Sequence, residues 1–172
     1  MVISAAVAPV HSGADFTSEM ITQGLMFESV FILGEQDNWL NIKMEDGYEG
    51  WIHHFYVSEN HVNSQKSIIL TDRYTPLRLQ RGKDGQIMAL LSFGTIVQLI
   101  EKTSGYCTIQ MINGEEAFIP AQQEISQQSR SDIIKLATNL FGVPYLWGGK
   151  SSFGYDCSGF VQMVLKTAGI SI

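Results

Sequence analysis

Cys157 lies in the run Gly154-Tyr155-Asp156-Cys157-Ser158-Gly159-Phe160, where a glycine-bounded turn gives way to apolar residues at helical spacing. A cysteine attacks as thiolate, and the free N–H groups and dipole of a helix N-terminus stabilise that anion. Ser158 and Gly159 are small enough to let a substrate come close, and the backbone N–H beside the nucleophile can serve an oxyanion. The plain alternative is an inert thiol, the usual fate of a free cysteine. Asp156 complicates the chemistry, because a neighbouring carboxylate opposes thiolate formation unless it points away or faces a cation. Asp is a favoured N-cap, which accounts for it structurally. Its functional alternative is a counter-charge that selects a peptide by its free amino end.

Such a nucleophile needs a base, and the chain offers His11, His53, His54 and His61. All four fall in or beside the first strand-rich segment and suit barrel sequence better than a catalytic strand. Adjacent histidines on a strand point to opposite faces, so His53 and His54 are expected as surface or loop residues, with no metal site and no cofactor.

The elements that must carry this chemistry come in two kinds. QDNWLNIKMEDGYEGWI and TSGYCTIQMINGEEAFI align without a gap 67 residues apart, Trp39 falling on Tyr106, Gly47 on Gly114 and Trp51 on Phe118. Each reads as a hairpin of alternating apolar and polar residues turned by Asp46-Gly47 or Asn113-Gly114, with a β-rich run, VFILGE or TIVQLIE, before it. Two small β-barrels are expected, over residues 1–60 and 61–124, then a polar linker at 125–130. From 131 onward the period becomes helical. Ile133, Ile134, Ala137, Leu140 and Phe141 predict a helix capped by Ser131 or Asp132 and closed by Gly142 and Pro144. A second helix is expected from Cys157 with Phe160, Val161, Val164, Leu165 and Ala168 on its buried face, ending at Gly169.

Composition narrows the classes. The 172 residues carry eleven Lys and Arg against seventeen Asp and Glu, a net charge of -6, with no basic stripe, which argues against nucleic acid as a partner. The opening MVISAAVAPVHSG lacks the basic flank of a secretory signal, and no apolar run approaches a membrane span. The expectation is a cytoplasmic protein, or a periplasmic or extracellular one if an upstream signal was removed. Cys107 and Cys157 make a poor disulfide framework.

Pro144-Tyr145-Leu146-Trp147-Gly148-Gly149 followed by Asp156-Cys157-Ser158-Gly159-Phe160 resembles the NlpC/P60 family of papain-like cysteine peptidases. The upstream segments are similar to bacterial SH3-like (SH3b) domains, which usually end in a G-W-[IV] strand, here Gly50-Trp51-Ile52; the second copy departs from it with Ala117-Phe118-Ile119. The fold implied is mainly β with an α+β C-terminal part: two SH3-like β-barrels, then the first two helices of a papain-like NlpC/P60 domain over 131–172. The resemblance implies a γ-D-glutamyl-L-diamino-acid endopeptidase of the dipeptidyl-peptidase VI type, cutting cell-wall stem peptides that bear a free N-terminal L-Ala. Carried over, Cys157 is the nucleophile, Tyr145 lines the site and helps position the oxyanion, and Asp156 and Ser158 hold the L-Ala. For Tyr145 and Trp147 the structural alternative is core packing. Whether Tyr48, Glu49 or Tyr56 of the first barrel reaches the site is left open by the sequence.

The family's catalytic His comes well after the nucleophile, and no histidine follows Cys157 here. The resemblance therefore implies that the C-terminal half of the peptidase domain is absent, by fragmentation or a premature stop, and that the 172 residues alone are inactive. It also implies helices without the sheet that normally covers them, unless they dock on the barrels or a partner chain supplies it. The competing reading is a non-catalytic module whose barrels bind peptidoglycan or another protein.

Overall fold

Alternating residues broken every few positions by Gly, Asp or Asn favour short antiparallel strands. The computed structural model describes residues 1–62, 66–82, 84–122 and 129–170. The first part contains β1 (Val2–Ile3), β2 (Val7–His11), β3 (Met20–Leu25), β4 (Val30–Gln36), β5 (Trp39–Met44), β6 (Glu49–His53), a 3-10 turn at His54–Tyr56 and β7 (Val57–Ser58). β3-β2-β6-β5-β4 form one antiparallel sheet, and β1 pairs with β7. The second part contains β8 (Ser67–Ile69), β9 (Tyr74–Arg78), β10 (Ile87–Ser92), β11 (Ile96–Lys102), β12 (Tyr106–Gln110) and β13 (Glu116–Pro120), ordered β10-β9-β13-β12-β11-β8.

The repeat extends well beyond the hairpins. β2, β3 and β6 recur as β9, β10 and β13 with identical lengths, 67 residues on. Gly47 and Gly114 hold φ of 89° and 87°, a region open to glycine, and their N–H groups return to the carbonyls of Met44 and Met111 at 3.0 and 2.8 Å. The cores correspond too: Val10, Val30, Ile42 and Ile52 fill the first barrel, and Leu77, Val97, Ile109 and Ile119 the second. Val2 and Met26 cross over to pack in the second core, which joins the two barrels.

After the barrels come α1 (Arg130–Asn139), the small hairpin of β14 (Lys150–Ser151) and β15 (Gly154–Tyr155), and α2 (Cys157–Thr167). The helices dock on both barrels. Leu25 of the first barrel and Phe93 of the second share one buried cluster with Leu136 and Leu140 of α1, Tyr155, and Met163, Val164 and Ala168 at α2. Arg73 donates to the carbonyl of Asn139 at 2.9 and 2.7 Å and also to that of Phe141, while Asn139 Nδ2 donates to Thr71 O at 2.8 Å. The barrels thus cover much of the apolar helix surface that the sequence left without a lid.

Three local expectations are corrected. The cap of α1 is Ser129, not Ser131 or Asp132, because its Oγ accepts the Asp132 N–H at 3.2 Å and the helix begins one residue later. Arg130 of the expected linker is therefore helical, while 125–128 lie outside the described residues. On α2 the expected face holds in part: Val164 and Ala168 are buried and Phe160 packs beside them, but Gly159, Met163 and Thr167 are buried as well and Val161 is 49% exposed. Two barrel surfaces, rather than one sheet, select that face.

Candidate active site

The α2 N-terminus is built by its own sequence. Asp156, extended at φ -87° and ψ 179°, caps the helix by accepting the Gly159 N–H at 2.6 Å, and Ser158 Oγ donates to the same Oδ1 at 2.7 Å. Cys157 is the first helical residue, and its thiol is free and exposed. Gly159 packs its Cα against the carbonyl of Gly149, where a Cβ would collide. Asp156 thus turns one oxygen into the helix start, where the Gly159 N–H and the Ser158 hydroxyl satisfy it.

The segment before the hairpin is tied to the same place. Tyr145 forms a parallel bridge with Tyr155; Leu146 N donates to Tyr155 O at 3.0 Å and Asp156 N to Gly149 O at 3.0 Å. Tyr145 and Trp147 are both exposed rather than packed in a core. Trp147 Nε1 donates to Glu19 Oε1 of the first barrel at 2.7 Å. Gly148, at φ 68°, lies so close to β3 that a Cβ would stand 2.6 Å from Met20 O. Tyr145, Asp156, Cys157 and Ser158 are therefore brought together by two consecutive turns, and the first barrel forms the adjacent wall. That wall presents Glu19 beside Trp147; Glu49 instead pairs with Lys43 at 2.8 Å.

An ion cluster ties β14 and α2 to the first barrel. Lys150 Nζ, with its side chain 4% exposed, contacts Asp46 Oδ2 at 2.8 Å and Glu28 Oε2 at 3.4 Å, and Lys166 Nζ meets Glu28 Oε1 at 2.8 Å. Gln162 Nε2 donates to Asp46 Oδ2 at 3.3 Å, and Lys150 N to Gln23 Oε1 at 2.9 Å. Burial pushes the Glu28 carboxyl upward, but the charges of Lys150 and Lys166 outweigh it and hold the group below its ordinary value. Burial acts likewise on Asp46, and Lys150 again prevails to hold it low. Burial alone would lower Lys150; Glu28 and Asp46 raise it instead. The second barrel contributes Ser92, whose Oγ accepts from Ser152 N at 2.8 Å, and Tyr74, which donates to Ser152 O at 2.9 Å.

The histidines are engaged within the first barrel and its exit. His11 is buried, with Nδ1 2.9 Å from Ser18 O. His53 Nδ1 accepts the Phe55 N–H at 3.3 Å, and His61 Nε2 lies 3.9 Å from Glu59. His53 and His54 do not face opposite ways: the chain enters a 3-10 turn at His54, and the two rings stack at 4.7 Å. Among the described residues no group of three or more His, Cys, Asp or Glu is arranged to hold a metal, and no helix is long and apolar enough to cross a membrane. Sequence reasoning missed Glu19, Gln23, Glu28 and Lys150. Their roles are long-range pairings without local periodicity, and Asp46 had already been explained as a turn residue.

These features define a protein in which SH3-like barrels carry and wall a helix-borne cysteine. Residues 142–172 match the NlpC/P60 family and residues 6–58 the bacterial SH3 domain. The chain is 32% identical over 164 residues to a γ-D-glutamyl-L-lysine dipeptidyl-peptidase of Bacillus subtilis (strain 168), across 88% of this chain and 54% of that protein. A dipeptidyl-peptidase 6 of Lysinibacillus sphaericus is 24% identical over 196 residues, 99% of this chain and 70% of that protein. A protein of the same name as the first, from Bacillus cereus (strain ATCC 10987 / NRS 248), is 24% identical over 174 residues, 90% of this chain and 52% of that protein. The chain thus spans about half the length of two of these curated relatives. The fold matches the crystal structure of an NlpC/P60 family protein from Bacillus cereus ATCC 10987 with a TM-score of 0.86 at 19% identity, over 99% of this chain and 73% of that one.

Proposed function

We propose that this chain supplies the nucleophile and the recognition wall of a cell-wall cysteine peptidase that cleaves the γ-D-glutamyl bond to a diamino acid in stem peptides. The observation carrying this is the exposed Cys157 at the N-terminus of α2, with Asp156 capping and Tyr145 bridged to β15 beside it. Thiolate attack on the amide carbon forms the C–S bond and a tetrahedral oxyanion, to which N–H groups of the first helical turn donate. Collapse expels the amine, which takes a proton from the base, and water then hydrolyses the thioester. The base is an imidazole other than His11, His53, His54 and His61, whose partners lie within residues 1–62 and Ile112. Asp156 and Ser158 beside Cys157, and Glu19 beside Trp147, supply acidic and hydroxyl oxygens suited to a peptide's amino end, which supports selection of an N-terminal L-Ala. The substrate chemistry suits recycling of wall peptides in the cytoplasm.

Protein isolated from its own cells, assayed on L-Ala-γ-D-Glu-L-Lys and its diaminopimelate counterpart, is expected to release L-Ala-γ-D-Glu. Cys157→Ala should abolish release, and N-acetylation of the substrate should slow it at least tenfold. Turnover indifferent to Cys157→Ala refutes the mechanism, and equal rates on the acetylated peptide refute recognition of the amino end. The isolated 172-residue chain is expected to show no turnover.

A further inference from the structure

The same surface position carries different chemistry in the two barrels. In the first barrel the loop between β2 and β3 folds Phe16 onto Trp39, with ring centroids 4.6 Å apart, and onto His53 at 5.3 Å, while His11 abuts Trp39 at 5.5 Å. The position is filled by the barrel's own side chains. Carrying His11, Trp39, Trp51 and His53 forward by the repeat gives Arg78, Tyr106, Phe118 and Pro120. There, with the counterpart of Phe16 outside the described residues, a cleft of about 280 Å3 is lined by these four with Gly82 and Gly105. Arg78 donates to Gly85 O, just as His11 Nδ1 meets Ser18 O, so it shapes the loop in both copies.

Arg81 supplies the available charge. Its guanidinium lies 4.9 Å from the Tyr106 ring centre and 5.3 Å from that of Phe118, which holds the group by cation–π attraction. Its carboxylate neighbour Glu101 is 3.7 Å away, longer than a hydrogen bond, and both side chains are 55% exposed. Arg78 also lines the cleft but is turned onto Gly85 O, so among the described residues it is the fork of Arg81, over the aromatic floor, that can accept a carboxylate. A phosphate or polyanion would call for several converging donors, whereas a carboxylate attached to an apolar residue suits a single fork over two rings. The helices and the β14–β15 hairpin meet this barrel elsewhere, at Arg73, Ser92 and Gly94.

We propose that the second barrel binds an acidic peptide in this cleft, a side-chain carboxylate pairing with Arg81 and the neighbouring apolar side chain lying on Tyr106 and Phe118. The site is separate from Cys157 and does not depend on the peptidase reading.

The test uses the full 172-residue chain, isotope-labelled for amide NMR, titrated with acetyl-Glu-Leu-Glu-Leu-amide and with acetyl-Gln-Leu-Gln-Leu-amide. The acidic peptide is expected to shift the amides of Gly82, Gly105, Tyr106 and Phe118, and its affinity should exceed that of the Gln peptide at least tenfold. Arg81→Glu, an exposed substitution that leaves the fold intact by its unshifted distant amides, should weaken binding at least tenfold, and Arg81→Lys should lose part of it. Equal affinity for the two peptides, indifference to Arg81→Glu, shifts centred on another surface, or no shift at about 5 mM peptide overturns the proposal.

Discussion

Replacing Lys150 by Met keeps the aliphatic stem and removes the ammonium that joins β14 to the first barrel. Removing one partner of a buried ion pair costs about 3–5 kcal/mol when the remaining charge is stranded. Here Glu28 keeps Lys166 at 2.8 Å, and Asp46, at 18% side-chain exposure, keeps Gln162 and the Tyr48 N–H. A loss of about 2–3 kcal/mol at pH 7 is therefore expected, or about 5–10 °C in Tm for a chain of this size. The pH dependence has a definite sign. The folded carboxyls of Glu28 and Asp46 are held low, so the stability they confer is complete above the unfolded values near 4 and drains as pH falls through the folded ones. Lys150 is raised, so its share is complete below about 10.4 and is lost only as pH rises past its folded value. In Lys150→Met the carboxyls lose their main cation and rise, which flattens the acid loss. Urea unfolding at pH 7 and pH 3 should show the gap between the two proteins narrowing at pH 3. A deficit below about 1 kcal/mol at pH 7, or one unchanged at pH 3, would refute the buried clamp.

Iodoacetamide should modify Cys157 at least about 100-fold faster than Cys107, which is fully buried and reacts only through openings costing about 3 kcal/mol or more; peptide mass mapping over time measures the ratio. Asp156→Ala should cost about 1 kcal/mol by loss of the cap, whereas Asp156→Asn keeps an acceptor for the Gly159 N–H and should hold Tm within about 2 °C. If the carboxylate also holds an amino end, Asp156→Asn raises KM on the stem peptide while stability stays put. Gly159→Ala drives a methyl into the Gly149 carbonyl, and a loss of about 1–3 kcal/mol is expected by thermal unfolding.

The barrels were legible because their signals are local. Asp46-Gly47 and Asn113-Gly114 demand tight turns, and alternation on either side assigns each residue to a face, so the spacing alone fixed both hairpins. The start of α2 was legible for the same reason, since Asp156 and Gly159 form a cap within four residues. The buried face of α2 was legible only in part: Val164 and Ala168 follow from the period, and Met163 does not. Val161 and Leu165 are as apolar as Met163, and only the approach of Gly94 and Phe93 from a barrel some 70 positions upstream decides that Met163 goes inside. Lys150 reads in sequence as a spacer after Gly149. Its partners lie more than 100 residues away, and no periodicity links them. The two adjacent histidines failed for a smaller reason, because the strand ends between them.

The cluster that holds α1 and α2 draws Leu25 from one barrel and Phe93 from the other. As the chain leaves the ribosome, neither helix can bury its apolar stripe until both barrels already stand. The thiol at the head of α2 therefore reaches its working geometry only on a scaffold finished ahead of it. A newly made molecule with either barrel misfolded keeps an unanchored, solvent-exposed pair of helices, a species suited to capture by chaperones or degradation before it can act on anything.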